Sequence, residues 1–163
     1  MPGPPKEKWV VTTVAGDGLA RFSDGPALTA GFKAPQDVTV TPDGNIYVAD
    51  AINHRIRKLT ANVVTTYAGS GVEDTTSGPG GMAAFAFPIQ LTTDLAGNLY
   101  TLDIDDFRIR KISSSALVTV VAGNGERGFA DGSVADAEFG ETTGIVADKQ
   151  GNIYISDNEN KRI

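Results

Sequence analysis

The fold is decided by the stretch GNIYVADAINHRIRKL at residues 44–59, because the chain repeats it. It returns as GNLYTLDIDDFRIRKI at 97–112 and begins a third time as GNIYISDNENKRI at 151–163. A second element keeps the same spacing, as VTTVAG at 11–16, VTTYAG at 64–69 and VTVVAG at 118–123. Gly16, Gly69 and Gly123 are therefore 53 and 54 residues apart. Self-similarity at a fixed period of this size indicates a repeat architecture.

Each repeat reads as a set of short strands. Val11–Val14 and Val38–Thr41 alternate and are rich in β-branched residues, which suits a pleated surface. Gly44-Asn45 and its counterparts Gly97-Asn98 and Gly151-Asn152 supply the turn residues between neighbouring strands. No segment holds a 3.6-residue period over three turns. The sequence therefore predicts an all-β chain of antiparallel strands joined by tight turns.

The pattern of Gly-Asn-Ile-Tyr-Val-Ala-Asp followed by Asn53-His54-Arg55-Ile56 resembles the NHL repeat, and the Tyr-x-x-Asp element is similar to the related YWTD propellers. The resemblance covers about residues 9–163, as three repeats at about 9–60, 62–113 and 116–163. It implies a six-bladed β-propeller. Residues 1–8, with three prolines, are predicted to be a disordered or tag-like segment.

The strand count predicts that the propeller is completed by a second chain. Naming the strands of a blade a to d from the axis outward, the chain reads d, a-b-c-d, a-b-c-d, a-b-c. That is three four-stranded blades, half of a six-bladed ring, and three blades do not close around an axis. The outermost strand of one copy could complete the last blade of another, which predicts a homodimer. The alternative is that the sequence is one part of a longer NHL chain.

Composition removes several classes of function. The chain has 163 residues, no Cys and one His, which excludes disulfides and sites built from thiolates or several imidazoles. The net charge of -6 argues against a nucleic-acid partner. No apolar run has the length of a membrane span, and the N-terminus has no signal-peptide pattern. A Cys-free, Gly-rich, acidic NHL module resembles secreted or bacterial envelope proteins, although the composition equally allows the cytosol.

The connections from strand d to the next strand a are long, at residues 17–34, 70–87 and 124–140. Long connections in a compact domain are usually functional. They share one face of the propeller with the b-to-c corners, and this face is acidic. The sequence predicts it as the binding face for a cationic ligand, a basic peptide or calcium, with solvated loop charge as the alternative. The acidic residues selected there are Glu73, Asp74, Asp105, Asp106, Glu126 and Asp131.

A second candidate site is the central channel, which strand a lines. Asp37 and Gln90 stand two residues after the strand-a proline, where the NHL pattern usually has Gly. Six-bladed lactonases resemble this arrangement, which implies a metal-dependent hydrolase holding a divalent cation in the channel. The alternative is a water-filled channel with a polar lining. The further lining candidates are Gln36, Thr39, Thr92 and Thr143.

Other recurring residues are predicted to be structural. Asp50, Asp103 and Asp157 recur with Arg55, Arg108 and Arg162, which suggests a buried Asp and an Arg stabilising each corner. His54 has Phe107 and Lys161 at its matched positions, so it is predicted to pack against a neighbour rather than to bind metal.

No nucleophile triad, phosphate loop or zinc motif occurs. The sequence therefore favours a non-catalytic binding or scaffold module for a protein, peptide or glycan partner. The channel hydrolase is the alternative.

Overall fold

The computed structural model describes residues 9–163, so the predicted disordered segment at 1–8 lies outside the described residues. Within that range the chain forms short β-strands and three 3₁₀ turns, at Ala27–Thr29, Ala51–Asn53 and Ile104–Asp106. The strands are β1 (Gly25–Pro26), β2 (Pro35–Val40), β3 (Ile46–Asp50), β4 (Arg55–Thr60), β5 (Val63–Ala68), β6 (Gly78–Pro79), β7 (Pro88–Thr93), β8 (Leu99–Asp103), β9 (Arg108–Ile112), β10 (Leu117–Ala122), β11 (Thr142–Ala147) and β12 (Ile153–Asp157).

The strands form three antiparallel sheets that follow the repeats. The first blade has the order β1-β5-β4-β3-β2, and the second blade has the order β6-β10-β9-β8-β7. The third sheet contains only β11 and β12. The predicted a-b-c-d order is therefore confirmed in the first two repeats, where each blade also gains a two-residue strand at its outer edge that the sequence did not indicate.

Two predicted strands do not form. Val11–Val14 carries no strand, and Arg162 contributes only one isolated bridge, to Asp157. A β-strand exists through its ladder of hydrogen bonds, so an alternating sequence alone does not make one. The predicted first strand d at Val11–Val14 and the predicted last strand c at Arg162 are thus wrong, and completion of the ring by a second chain stays a proposal.

The turn between strands a and b is built the same way in the second and third repeats. Asp94 accepts hydrogen bonds from the backbone amides of Ala96 and Asn98, and Asp148 does the same for Gln150 and Asn152. The intervening glycine has a positive φ, of 78° at Gly97. An Asp side chain that bonds its own turn and a Gly in the left-handed region explain why this sequence recurs.

The core lies between the blades. Ala49, Ile56 and Ala68 of the first blade pack against Phe85, Leu91 and other apolar residues of the second. Each buried Leu or Phe contributes about 1.5–3 kcal/mol to folding. At the two ends of the stack the same positions are uncovered: Val38, the equivalent of Leu91, is 57 % exposed, and Tyr154, the equivalent of Tyr47, is 50 % exposed.

Gly69 and Gly123 recur because the backbone passes too close for a side chain. A Cβ on Gly69 would lie 2.4 Å from the His54 carbonyl oxygen, and one on Gly123 would lie 2.4 Å from the Phe107 carbonyl oxygen. Both residues also have φ near 100°. Only glycine meets both conditions, so the end of strand d is fixed against the b-to-c corner of its own blade.

Candidate ligand-binding face

The b-to-c corners lie under the long d-to-a connections, as predicted, and together they form one face that we call the loop face. The Asp50 carboxylate accepts a 2.7 Å hydrogen bond from the Lys33 amide, and Asn53 donates its side-chain amide to the Arg21 carbonyl oxygen. In the second blade Asp103 accepts from the amides of Ala86 and Phe87. These bonds tie each connection to a corner, so the loop face is held in place from beneath.

A buried arginine completes the corner of the first blade. Arg57 is fully buried and donates to Asp50 Oδ2 at 2.7 Å and to Asp24 Oδ1 at 2.6 Å. It also donates to the carbonyl oxygens of Ser23 and Gly31. The sequence predicted a buried Asp and Arg55 at this corner; Asp50 is buried as predicted, and the arginine that forms an ion pair with it is Arg57. Arg55, two residues earlier on the same strand, donates to the carbonyl oxygens of Asn53 and Ser70.

The second blade holds its arginine differently. Arg110 lies 3.4 Å from Asp103 Oδ2 and 3.7 Å from Asp106 Oδ2, and it donates to Ser77 Oγ. Burial raises the pKa of Asp103 to about 6, against the lowering effect of the Phe87 and Ala86 amides and of Arg110. Burial also raises the pKa of Asp106, against the lowering effect of Arg108 and Arg110.

Six acidic residues of the loop face were predicted as binding residues, and the structure separates them. Asp106 is buried and pairs with Arg108 at 2.5 Å. Asp74 accepts hydrogen bonds from its own loop, at the Thr75 amide and the Thr76 hydroxyl. The other four carboxylates are exposed and make no hydrogen bond or ion pair with any described residue: Glu73, Asp105, Glu126 and Asp131.

The channel candidates lie on the innermost strands β2, β7 and β11, which stand side by side. Asp37 is engaged by backbone, because its two carboxylate oxygens accept from the amides of Val38 and Leu91, each at 2.8 Å. Thr92 accepts from the Ala147 amide, and Thr143 shares a hydrogen bond with Ser156. The chain thus uses Asp37 and Thr92 to link neighbouring blades, and Gln36, Thr39 and Gln90 make no side-chain hydrogen bond within residues 9–163.

The metal-dependent hydrolase stays a prediction. Among residues 9–163, no group of three or more His, Asp or Glu side chains is placed to hold a metal ion. In the same range there is no helix long and apolar enough to cross a membrane.

His54 adopts the left-handed backbone conformation at the end of a 3₁₀ turn, with φ of 51°. Its Nδ1 donates to the Ala86 carbonyl oxygen of the second blade at 2.7 Å. The predicted packing of His54 against a neighbour is therefore confirmed, and it takes the form of a hydrogen bond between blades.

A cleft that the sequence did not indicate lies on the opposite face, beside the a-to-b turns. It has a volume of about 280 Å³ and lies between the first and second blades, lined in part by Asp43, Tyr47, Lys58 and Tyr67. The two tyrosine rings meet edge to face at 4.8 Å. One signal was available: the VTTYAG element has Tyr67 where the other repeats have Val14 and Val121. The missed Arg57 and Arg110 also had a signal, since the RIRK element recurs with both of its arginines.

The NHL repeat family model matches residues 32–59. The chain is also similar to Protein SUPPRESSOR OF QUENCHING 1, chloroplastic, of Arabidopsis thaliana, with 25 % identity over 167 residues. That match covers 94 % of this chain but 16 % of the plant protein.

Two solved structures from Bacteroides thetaiotaomicron share the fold. A structural genomics protein of unknown function is 27 % identical, with a TM-score of 0.67, over 74 % of this chain and 31 % of that one. An auxiliary nutrient binding protein is 25 % identical, with a TM-score of 0.70, over 83 % of this chain and 37 % of that one. The chain thus spans well under half the length of each of these three proteins.

Antiparallel blades stacked side by side on their innermost strands define a β-propeller architecture. Together with the repeat matched at residues 32–59, this fold makes the chain similar to NHL-repeat β-propeller proteins.

Proposed function

We propose that this chain is a non-catalytic binding module that presents its loop face to a cationic partner, such as a basic peptide or a basic segment of a protein. The supporting observation is the set of exposed carboxylates without an internal partner. Glu73, Asp105 and Glu126 come from three different connections of the same face. Charges left unpaired on rigid loops create a local field that attracts a ligand of the opposite sign.

The rigidity of the loops supports the proposal. Asp17 pairs with Arg21 within the first connection, and Arg127 of the third connection pairs at 2.9 Å with Glu159 of the b-to-c corner beside it. A preformed surface loses little conformational entropy on binding. The likeness to an auxiliary nutrient binding protein also supports a binding role for this propeller.

The test is a binding titration with a fluorescein-labelled tetralysine peptide, followed by anisotropy at 20 and 300 mM salt. The triple variant Glu73→Gln, Asp105→Asn, Glu126→Gln should bind several-fold more weakly than the wild type. High salt should weaken wild-type binding as well, because exposed charges are screened over about 10 Å at 0.1 M salt.

The control is Asp148→Asn, which removes one half-buried carboxylate from the a-to-b turns of the opposite face. It should leave tetralysine binding unchanged. The proposal fails if the triple variant binds like the wild type, or if a tetraglutamate peptide binds equally well.

We also propose that a second copy of the chain packs against the ends of the stack. Val38 and Val40 at one end and Val146 and Tyr154 at the other are exposed, while Leu91 and Tyr47, the equivalents of Val38 and Tyr154 inside the stack, are buried. Exposed apolar patches of this kind mark contact surfaces. Light scattering at micromolar concentration should give twice the 17.0 kDa mass of one chain, and a stable, well-folded single chain would contradict the dimer.

A further inference from the structure

The cleft beside the a-to-b turns contains a tyrosine hydroxyl without a hydrogen-bond partner. Tyr47 is only 5 % exposed, and its ring packs edge to face on that of Tyr67. The Tyr67 hydroxyl donates to the carbonyl oxygens of Ser113 and Ser114. The Tyr47 hydroxyl makes no hydrogen bond with another residue of the range 9–163, and it is not one of the fully buried polar atoms there. It is therefore open to the cleft that Tyr47 lines.

The other repeats show which group such a hydroxyl binds. Tyr100 stands at the position of Tyr47, and its hydroxyl donates to Asp94 Oδ2 at 3.1 Å. The third repeat contains the same pair of a tyrosine and an aspartate, at 3.2 Å. In the first repeat the position of Asp94 is occupied by Thr41, which has no carboxylate. The acceptor that the tyrosine hydroxyl has in the other two repeats is therefore missing in the first.

Asp43 also lines the cleft, but it does not replace the missing acceptor. Its carboxylate accepts from the Thr41 hydroxyl and from both the backbone amide and the side chain of Asn45. The corresponding bonds to the asparagine of the second turn are made by Asp94. Asp43 thus takes over the part of Asp94 that holds the turn together, and it leaves the tyrosine hydroxyl free.

An ammonium group stands beside the free hydroxyl. Lys58 lines the same cleft, and its Nζ lies 5.7 Å from the ring centre of Tyr47 and 5.9 Å from that of Tyr67. Lys58 is half-buried, and its ammonium forms no hydrogen bond or ion pair with a described residue. Burial and then the charge of Asp43 raise the pKa of Tyr47, against the lowering effect of Tyr67, so the Tyr47 hydroxyl keeps its proton. The cleft therefore offers two unused donors, one of them charged.

We propose that the cleft binds the anion of a small carboxylic acid, whose carboxylate accepts from the Tyr47 hydroxyl and pairs with the Lys58 ammonium. The ligand would supply the acceptor that Asp94 supplies in the second blade, and hydrogen bonds to an ionised group are roughly twice as strong as neutral ones. Pro42 and Leu95 add apolar surface to the lining, which suits an acid with an apolar body.

The size of the cleft favours a small molecule. Its volume of about 280 Å³ lies just below the usual range of ligand cavities, about 300–1,000 Å³. The site is on the face opposite to the loop-face carboxylates and takes an anion where the loop face takes a cation. It therefore goes beyond the proposed function, and either proposal can fail without the other.

The probe is benzoate, added to the full chain at constant salt and followed by the chemical shifts of the backbone amides. Saturable shifts are expected around the cleft, at Ala96, Gly97 and Ser114 among others. Benzamide has nearly the same shape without the charge, so it should bind at least about tenfold more weakly. Benzylammonium, which carries the opposite charge, should not shift these amides.

Two single variants test the donors. Tyr47→Phe should lower the affinity for benzoate about tenfold, because it removes a hydrogen bond to a charged group, and Lys58→Gln should lower it several-fold. The matched controls are Tyr100→Phe and Lys111→Gln at the same positions of the second blade, where Asp94 already accepts from Tyr100. Both controls should bind benzoate like the wild type.

The double variant Thr41→Asp, Asp43→Ala gives the first turn the residues that the second turn has at these positions. Its new carboxylate at position 41 should accept from the Tyr47 hydroxyl, as Asp94 does from Tyr100. Benzoate binding should therefore be lost, while the circular dichroism spectrum and the melting temperature are kept. This variant separates a filled site from a damaged one.

Three outcomes would overturn the proposal. The first is the absence of saturable shifts at the cleft with benzoate up to millimolar concentration. The second is equal binding of benzamide, which would mean that the cleft accepts the apolar body and ignores the carboxylate. The third is unchanged benzoate binding in the folded double variant. Unchanged binding by Lys58→Gln has the same meaning, and it does not depend on the folding of the double variant.

Discussion

The first and second blades each bury an arginine at the same position of the repeat, and each places two carboxylates beside it. One of these two carboxylates comes from a different segment in each blade. In the first blade Asp24 of the long connection joins Asp50, and Asn53 stands at the corner. In the second blade Ser77 takes the place of Asp24, and Asp106 takes the place of Asn53. A buried guanidinium requires compensating charge, and the fold accepts that charge from either segment.

This exchange, with Ser77 in place of Asp24 and Asp106 in place of Asn53, changes the hydrogen bonds around the buried arginine. Asn53 donates its amide to Asp50 Oδ2, whereas the Asp106 carboxylate has no proton to donate to Asp103. The second corner is looser: Arg110 stands 3.4 Å from its strand carboxylate, where Arg57 stands 2.7 Å from its own. Asp106 Oδ2 also lacks a hydrogen-bond partner. We therefore expect the second corner to be the weaker of the two.

The largest loss of unfolding free energy should come from removing the buried arginines. Arg57→Ala leaves two carboxylates around a closed cavity, and Arg110→Ala does the same in the second blade. Breaking one side of a buried ion pair costs about 3–5 kcal/mol, and the better paired Arg57 should stand at the upper end. Urea denaturation measures both losses. Equal losses, or a larger loss for Arg110→Ala, would contradict the ranking of the two corners.

The second-largest loss of unfolding free energy is expected at an apolar residue between the blades, and the matched residue at the end of the stack provides the comparison. Leu91 is 6 % exposed between the blades, and its equivalent Val38 is 57 % exposed at the end of the stack. Leu91→Ala should cost about 2–5 kcal/mol of unfolding free energy. Val38→Ala should change it by less than about 0.5 kcal/mol in a single chain. A large loss for Val38→Ala that depends on protein concentration would instead show that a partner covers this end.

The repeated motifs predict most of the fold because each motif has a local cause. The a-to-b turn needs its Asp and Gly, and the end of strand d needs Gly69 or Gly123 against a backbone carbonyl oxygen. The strand at Val11–Val14 was not predictable in the same way, since its formation depends on a partner strand and not on its own alternation.

The candidate site was harder to predict because partners far apart in sequence decide the role of each residue. Asp37 was selected as a channel residue, yet its oxygens bind the backbone of its own strand and of the next blade. Asp106 was selected as a surface acid, yet it replaces an asparagine beneath a buried arginine. A position-by-position comparison of the three repeats shows that Asp106 stands where the first repeat has an asparagine, whereas a count of acidic residues does not.

A third effect is pH dependence confined to the second corner. Asp103 has a pKa of about 6 in the folded chain and an ordinary value of 3.8. A raised pKa means that the folded state binds the extra proton, so the contribution of Asp103 to stability is present at pH 3.8 and is lost as the pH rises through 6. Asp103→Asn imitates the protonated side chain. Its unfolding free energy minus that of the wild type should therefore increase between pH 4.5 and 7.5, by about 2 kcal/mol.

Asp94→Asn is the control for that measurement. Hydrogen bonds from Asn98, Tyr100 and Ala96 outweigh burial and hold the pKa of Asp94 below its usual value, so this residue stays charged across the same pH range. The difference between Asp94→Asn and the wild type should be constant from pH 4.5 to 7.5. A constant difference for Asp103→Asn as well would contradict the raised pKa.

The smallest effect tests the exchange itself, by rebuilding the second corner in the pattern of the first. Asp106→Asn alone removes a carboxylate from Arg110, and Ser77→Asp alone gathers three carboxylates around one guanidinium, so each single change should destabilise the chain. The double variant restores two carboxylates and supplies an amide that donates to Asp103, so it should be at least as stable as the wild type. The double-mutant cycle should give a favourable coupling of about 1–3 kcal/mol. Additive losses would mean that residues 77 and 106 do not both interact with the charge of Arg110. The position of the second carboxylate would then not explain the difference between the two corners.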